Sequence, residues 1–229
     1  MIKMAQQLGF DLPSRTALGR DAFFVSPGNA MALMMVDNWR SWAGGKLVVT
    51  GAKGAGKTHL THVWADMSGA KIVSAPQLAT ADIPSLAQGP IAVEDVPLIA
   101  GDHSSQVALF HLHNLVLAEG HALMLTGISP VAQWDLELPD LISRLRGTTE
   151  IALAPPDDAL LAAVLVKLLA DRQLMPKPDL IPYLLSRIDR SFTAAIDITQ
   201  RLDAASLALK RPITRALASQ VLDKLDHNA

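Results

Sequence analysis

Gly51-Ala52-Lys53-Gly54-Ala55-Gly56-Lys57-Thr58 is the stretch on which the reading of this chain turns. It follows the apolar run Leu47-Val48-Val49 and opens a helical pattern, the strand-to-helix setting in which a glycine-rich loop cradles phosphates. Gly51, Gly54 and Gly56, with Ala55 between them, allow a tight turn that aims successive amides inward, and the following helix presents its positive end to the same anion. Lys57 is expected to neutralise the phosphates of a bound ADP or ATP, and Thr58 to ligate Mg2+ through its hydroxyl.

Working outward, short apolar or β-branched runs recur at Lys46 to Thr50, Lys71 to Ser74, Pro90 to Val93, Ala122 to Thr126 and Glu150 to Leu153. Helical patterns such as Thr58 to Met67 and Ser105 to Glu119 separate them, which predicts an α/β fold with a helix-covered parallel sheet. After Pro155-Pro156 the sequence turns wholly helical. Asp157 is placed to cap a helix with Leu160, Leu161, Val164, Leu165, Leu168 and Leu169 on one face, and further helices are expected near Asp179 to Ile188, Phe192 to Lys210 and Thr214 to Leu225. The expected organisation is a tail over 1–18, an α/β nucleotide-binding domain over 19–154 and a small helical lid over 155–229.

A phosphate loop needs a carboxylate at the end of a neighbouring strand, and Ile91-Ala92-Val93 runs into Glu94-Asp95. Both acids are candidates for supporting Mg2+ and for hydrolysis. Their order, with the longer side chain first, displaces each carboxylate by one methylene from the usual arrangement, and Mg2+ is demanding about its octahedral shell.

Composition narrows the rest. The chain has 229 residues, 50% of them hydrophobic, with a formal charge of -2, so a substantial core is available but no general basic field for gripping nucleic acid. Little direct DNA binding is expected. The absence of cysteine excludes disulfides, thiolate zinc sites and cysteine nucleophiles. Residues 1–7 lack the apolar core of a signal peptide and no apolar run reaches the roughly 18 residues of a membrane span, so a soluble cytoplasmic protein is expected. His111 and His113, two apart on a helix, should face different ways, and His59 with His62 has no third ligand for zinc. Trp39, Trp42, Trp64 and Trp134 read as packing residues.

The order of these motifs resembles the DnaA-related branch of the AAA+ family, and within it the Hda-type proteins, over almost the whole chain. The resemblance implies an AAA+ domain with a helical lid and no DNA-binding domain, acting with the replicative sliding clamp to switch DnaA off. It places the approach to the adenine pocket at Ala22-Phe23-Phe24-Val25, making Phe24 and Val25 nucleotide contacts, and likens Leu109-Phe110-His111 with Asn114 to the helix after the acidic motif. It makes Thr126, at the end of Ala122-Leu123-Met124-Leu125-Thr126-Gly127, a strand-end hydroxyl that orients water or the γ phosphate. Leu141-Ile142-Ser143-Arg144-Leu145, followed by Pro155-Pro156-Asp157, makes Arg144 the arginine-finger candidate, with Arg146 as a nearby rival.

Two further positions follow from the same likeness. In Ile188-Asp189-Arg190-Ser191-Phe192-Thr193 the lid arginine of the family is replaced by Thr193, with Arg190 as a substitute from the preceding turn, which implies nucleotide binding with weak turnover. Gln7-Leu8-Gly9-Phe10-Asp11-Leu12 resembles a clamp-binding peptide, in which Gln7 sets the register while Leu8, Phe10 and Leu12 enter apolar pockets. The implied partners are DnaA and the sliding clamp, with a homo-oligomer allowed for. The competing expectation is a stand-alone AAA+ ATPase, a loader or remodeller that completes hydrolysis with its own Glu94, Asp95 and Thr126.

Overall fold

The structure is a computed structural model and describes residues 23–226. The tail peptide with Gln7, Leu8, Phe10 and Leu12 lies outside the described residues.

Five strands form one parallel sheet in the order β2-β3-β4-β1-β5: β1 Lys46–Thr50, β2 Lys71–Ser74, β3 Ile91–Glu94, β4 Leu123–Gly127 and β5 Thr149–Ala152. All five expected runs are strands, and three of them shift by one residue. Pro90 stays outside β3, and its carbonyl accepts from Lys71 N at 3.1 Å. The register sets Val49 of β1 against Thr126 of β4 on one side and Ile151 of β5 on the other.

Side chains alternate across β1 as a strand requires. Leu47 and Val49 join Leu33, Val36, Leu60, Val63, Trp64 and Met124 on one face, whereas Val48 joins Leu109, Leu112, Leu123, Leu125, Leu141 and Leu145 on the other. Both faces are therefore dry, which is why β1 reads as a continuous apolar run. The first face is covered by α1 (Ala30–Asp37) and α2 (Lys57–Ser68), the second by α4 (His103–Ala118) and α5 (Pro139–Arg146). A single turn of helix, α3 (Ile83–Leu86), leads into β3.

Trp64 is wholly buried, with Trp42 tilted against it at 5.1 Å and Trp39 edge-on at 6.3 Å. Trp134 is also buried, its indole N–H donating to Ser129 O at 2.7 Å. The tryptophans pack, as expected.

From residue 158 onward the described residues are helical: α6 Asp158–Asp171, α7 Leu180–Leu185, α8 Phe192–Leu209 and α9 Arg215–Asp226. They enclose a core of their own around Leu161, Leu165, Leu169, Leu184, Ile198 and Leu202. Asp157 caps α6 by accepting from Leu160 N at 2.7 Å. The second of these helices, α7, is shorter than the apolar pattern over Asp179 to Ile188 suggested, because the chain leaves it to reach Ser191, whose extended backbone and hydroxyl cap α8 through Ala194 N at 3.1 Å. Among the described residues no helix is long and apolar enough to cross a membrane.

Candidate functional site

The loop between β1 and α2 is shaped by what stands close to it. Gly54 has φ +77, and a Cβ there would lie 2.6 Å from Ser191 Cβ; at Gly51 a Cβ would lie 2.7 Å from Leu153 O. Only glycine meets both the backbone angle and the contact at Gly54. The start of α8 rests directly on this loop, since Phe192 N donates to Gly54 O at 2.9 Å and the Phe192 ring lies against Gly56. Ala55 is buried beneath the loop, and Thr58 faces the cleft.

Lys57, the first residue of α2, is buried and donates from Nζ to Gly51 O at 2.7 Å and Ala52 O at 3.1 Å. Burial lowers its pKa, and the carboxylates of Asp95 and Glu94 work against that shift. The ammonium thus sits between the loop carbonyls and the two acids at the end of β3.

Those two acids have different settings. Glu94 presents a buried Oε1 with no hydrogen-bond partner. Asp95 adopts a left-handed backbone, φ 57 and ψ 46, which costs a non-glycine residue about 1–2 kcal/mol. It is held there by its N–H, which donates to Thr126 Oγ1 at 3.0 Å, and its side chain lines the cleft. Thr126 is itself buried and does not line the cleft, so its hydroxyl acts on Asp95.

Thr58 and Asp95 line the cleft and Glu94 does not, but Glu94 acts on the same Lys57 ammonium and keeps one buried acceptor without a partner; the oxygen chemistry of the three fits a hard cation such as Mg2+. Among the described residues no group of three or more His, Cys, Asp or Glu could hold a metal by protein ligands alone. The set therefore suits a cation that takes its remaining ligands from phosphate and water.

The cleft has a volume of about 670 Å³. Lys53, Gly54, Gly56, Lys57, Thr58 and Asp95 form its polar end, while Phe23, Phe24, Ile128, Val164, Leu168 and Ile196 supply apolar walls. Phe24 lines it; Val25 is 57% exposed and does not. The segment before α1 is pinned by Asn29, which accepts from Ser26 N at 2.8 Å and donates to Phe24 O at 2.9 Å. The Phe23 ring meets His59 edge-on at 5.1 Å.

Sequence reasoning missed the ion pair that α6 brings to the cleft, Lys167 Nζ to Asp171 Oδ2 at 2.8 Å. Charges four apart on a helix read as a solvated pair, and both side chains do stay partly exposed; the placement of α6 at the cleft adds them to its rim. Thr193 lines the cleft. Arg190 does not: it makes two bonds to Asp158, at 2.9 and 3.1 Å, at the start of α6.

Arg144 lies elsewhere. Its carbonyl accepts from Lys46 Nζ at 2.9 Å and Thr148 Oγ1 at 3.0 Å, and its guanidinium lies over the Phe110 ring, 5.3 Å from the centroid. Lys46 is the first residue of β1, whereas the phosphate loop follows the last, and at about 3.3 Å per residue the two ends are separated by roughly 13 Å. Arg144 is exposed, forms no ion pair among the described residues and does not line the cleft of its own chain. Arg146 is exposed beside it on the same helix.

The histidines of α4 do face different ways, with His111 exposed and His113 buried. His113 Nε2 stands 3.2 Å from Lys46 Nζ. Burial, then the Lys46 charge, lowers the His113 pKa to about 4.

No protein-family model matches the chain. It is similar to domain III of the replication initiation protein DnaA from Thermotoga maritima, with 16% identity and a TM-score of 0.80 over 90% of this chain and 96% of that one. It is similar also to AMPPCP-bound DnaA from Aquifex aeolicus, with 21% identity and a TM-score of 0.64, covering 82% of this chain and 64% of the length of the other. The Holliday junction branch migration motor RuvB of Thermotoga maritima gives 14% identity and a TM-score of 0.69, over 90% and 72%. The fold is therefore the α/β fold of DnaA domain III, a parallel sheet followed by a helical section, as the order of strand and helix patterns had led us to expect.

Proposed function

We propose that this chain is an Hda-like regulator of DNA replication initiation, which binds ADP or ATP with Mg2+, docks on the sliding clamp and promotes ATP hydrolysis by DnaA. The observation that carries the proposal is the separation of the two functional ends. The phosphate loop and its acids stand at the finish of β1, while Arg144 stands over its start, exposed and without an ion pair among the described residues. A guanidinium so placed serves a nucleotide on a neighbouring subunit, where it would stabilise charge developing on the γ phosphate, an effect worth about 10³ to 10⁵ in rate.

In its own cleft, Lys57 would exchange its two carbonyl partners for phosphate oxygens, and Thr58, Glu94 and Asp95 would hold Mg2+ directly or through water. The metal, when bound, neutralises phosphate charge. Phe24 and the apolar wall suit a base. Three features support weak turnover by the chain itself: Thr193 in place of a lid arginine, Arg190 committed to Asp158, and a Thr126 hydroxyl committed to Asp95. The division into a tail over 1–18, an α/β domain over 19–154 and a lid over 155–229 belongs to the same proposal, with Gln7, Leu8, Phe10 and Leu12 as the clamp-binding side chains. A cytoplasmic setting follows from these partners.

The test is ATP hydrolysis by DnaA with DNA-loaded clamp, measured with and without this protein. Stimulation is expected, and both Arg144→Ala and Leu8→Ala/Phe10→Ala are expected to remove at least nine-tenths of it. Absence of stimulation by folded, nucleotide-bound protein would overturn the reading. A second reading, an independent loader or remodeller, is favoured by the position of Asp95 in the cleft beside Lys57; brisk ATP turnover by this chain alone would select it.

A further inference from the structure

We infer that Lys46 is a positioning residue for Arg144, clamping the end of α5 to α4 through His113. The inference rests on the proposal that Arg144 acts on a partner's nucleotide.

The need for a clamp comes from α5 itself. This helix has eight residues, and Arg144 is among the last four, whose carbonyls lack the usual amide partners. Thr148 N, which would close a helical turn onto Arg144 O, bonds instead to Leu145 O at 3.0 Å. Arg144 O is left to the Thr148 hydroxyl and to Lys46 Nζ. A cation at a helix C-terminus also meets the negative end of the helix dipole.

Lys46 is held in turn. A lysine ammonium has only hydrogens to offer, so its 3.2 Å contact requires an unprotonated His113 Nε2. The ring hydrogen then sits on Nδ1, which faces Asn114 Oδ1 at 3.4 Å. A buried, neutral ring matches this arrangement. The line Asn114, His113, Lys46, Arg144 thus joins α4, the start of β1 and the end of α5. Phe110, one turn before His113 on α4, carries the Arg144 guanidinium on its face, so α4 grips both the backbone and the side chain of the same residue. Displacement of a catalytic group by about 1 Å can cost on the order of 100-fold in rate.

The experiment is the clamp-dependent ATP hydrolysis of DnaA titrated with wild-type protein and with Lys46→Met, Lys46→Arg, His113→Leu, the Lys46→Met/His113→Leu double variant and Arg144→Ala. Lys46→Met is expected to lower the maximal stimulated rate about tenfold, with an unchanged half-saturating concentration and unchanged nucleotide affinity in its own cleft. Lys46→Arg, still able to donate to the carbonyl, is expected to recover most of that rate. The double variant should lose no more than the worse single one. If Arg144→Ala abolishes stimulation while Lys46→Met and His113→Leu leave the maximal rate intact, this inference falls and the proposed function stands. A loss confined to the half-saturating concentration, or one that Lys46→Arg leaves unrepaired, also overturns it. If Arg144→Ala stimulates like wild type, the finger assignment fails and takes the inference with it.

Discussion

His113 shows how far one side chain's chemistry is set by residues distant in the chain. Its ring is buried on α4, and burial first, then the Lys46 ammonium, moves its pKa from 6.5 down to about 4, although the Asn114 side chain pulls the other way. Above pH 6.5 the ring is neutral in both folded and unfolded chains. As the pH falls, the unfolded chain takes up a proton that the folded chain refuses until about pH 4. Stability present above 6.5 is therefore lost progressively down to about 4, by roughly 1–2 kcal/mol after allowance for solvent screening. Denaturant unfolding at a series of pH values should show that loss in the wild type and a flatter profile in His113→Gln. Equal slopes in the two proteins would show that some other group carries the pH dependence.

At the scale of elements, the strain at helix ends makes its own prediction. Helix α8 closes on Lys210, which sits left-handed at φ 51 and ψ 43, with Lys210 N and Arg211 N bonded back to Leu207 O and Ser206 O. Glycine adopts that conformation without the cost a Cβ imposes, so Lys210→Gly should stabilise the protein by about 0.5–1 kcal/mol. A higher denaturant midpoint with unchanged slope is the expected sign; a lower midpoint would mean that the lysine stem contributes more than its backbone costs. Elements of this kind also mark what was readable beforehand. The strands, α2, α4 and α6 were legible because each carries its burial pattern within a few turns of local sequence, and the turn from β1 into α2 because Gly51 to Thr58 act as one local unit. The shortened α7 was not, because its end is dictated by where Ser191 must begin α8. Nor were the placement of Lys167 and Asp171 at the cleft, the bonds of Arg190 to Asp158, or the line from His113 through Lys46 to Arg144. Each joins groups far apart in sequence, and no local pattern encodes such a meeting.

Across the whole molecule, the cleft is lined by both the helical section and the sheet section, and under the proposed function its charges would set the preference between nucleotides. Lys53, Lys57 and Lys167 reach it, against the carboxylates of Asp95 and Asp171, and Lys167 is already paired with Asp171. Among the described residues the helical section thus brings no unpaired cation to the polar end of the cleft: Thr193 occupies the second position of α8, where its hydroxyl lies 3.1 Å from the Cβ that Gly54 would carry, and Arg190 is turned to Asp158. An arginine stem starting at Thr193 would begin against the phosphate loop and could offer a forked pair of donors to a terminal phosphate. Because a triphosphate presents one more anionic group than a diphosphate, Thr193→Arg should raise affinity for ATP relative to ADP by about tenfold, or roughly 1.4 kcal/mol. Calorimetric titration of both nucleotides into wild type, Thr193→Arg and Arg190→Ala measures this directly. Arg190→Ala should leave the ratio unchanged, since its guanidinium is committed outside the cleft. An unaltered ratio in Thr193→Arg would mean that α8 does not present its first turn to the phosphates. A drop in ATP affinity in Arg190→Ala would instead mean that Arg190 leaves Asp158 when nucleotide binds and supplies the missing cation.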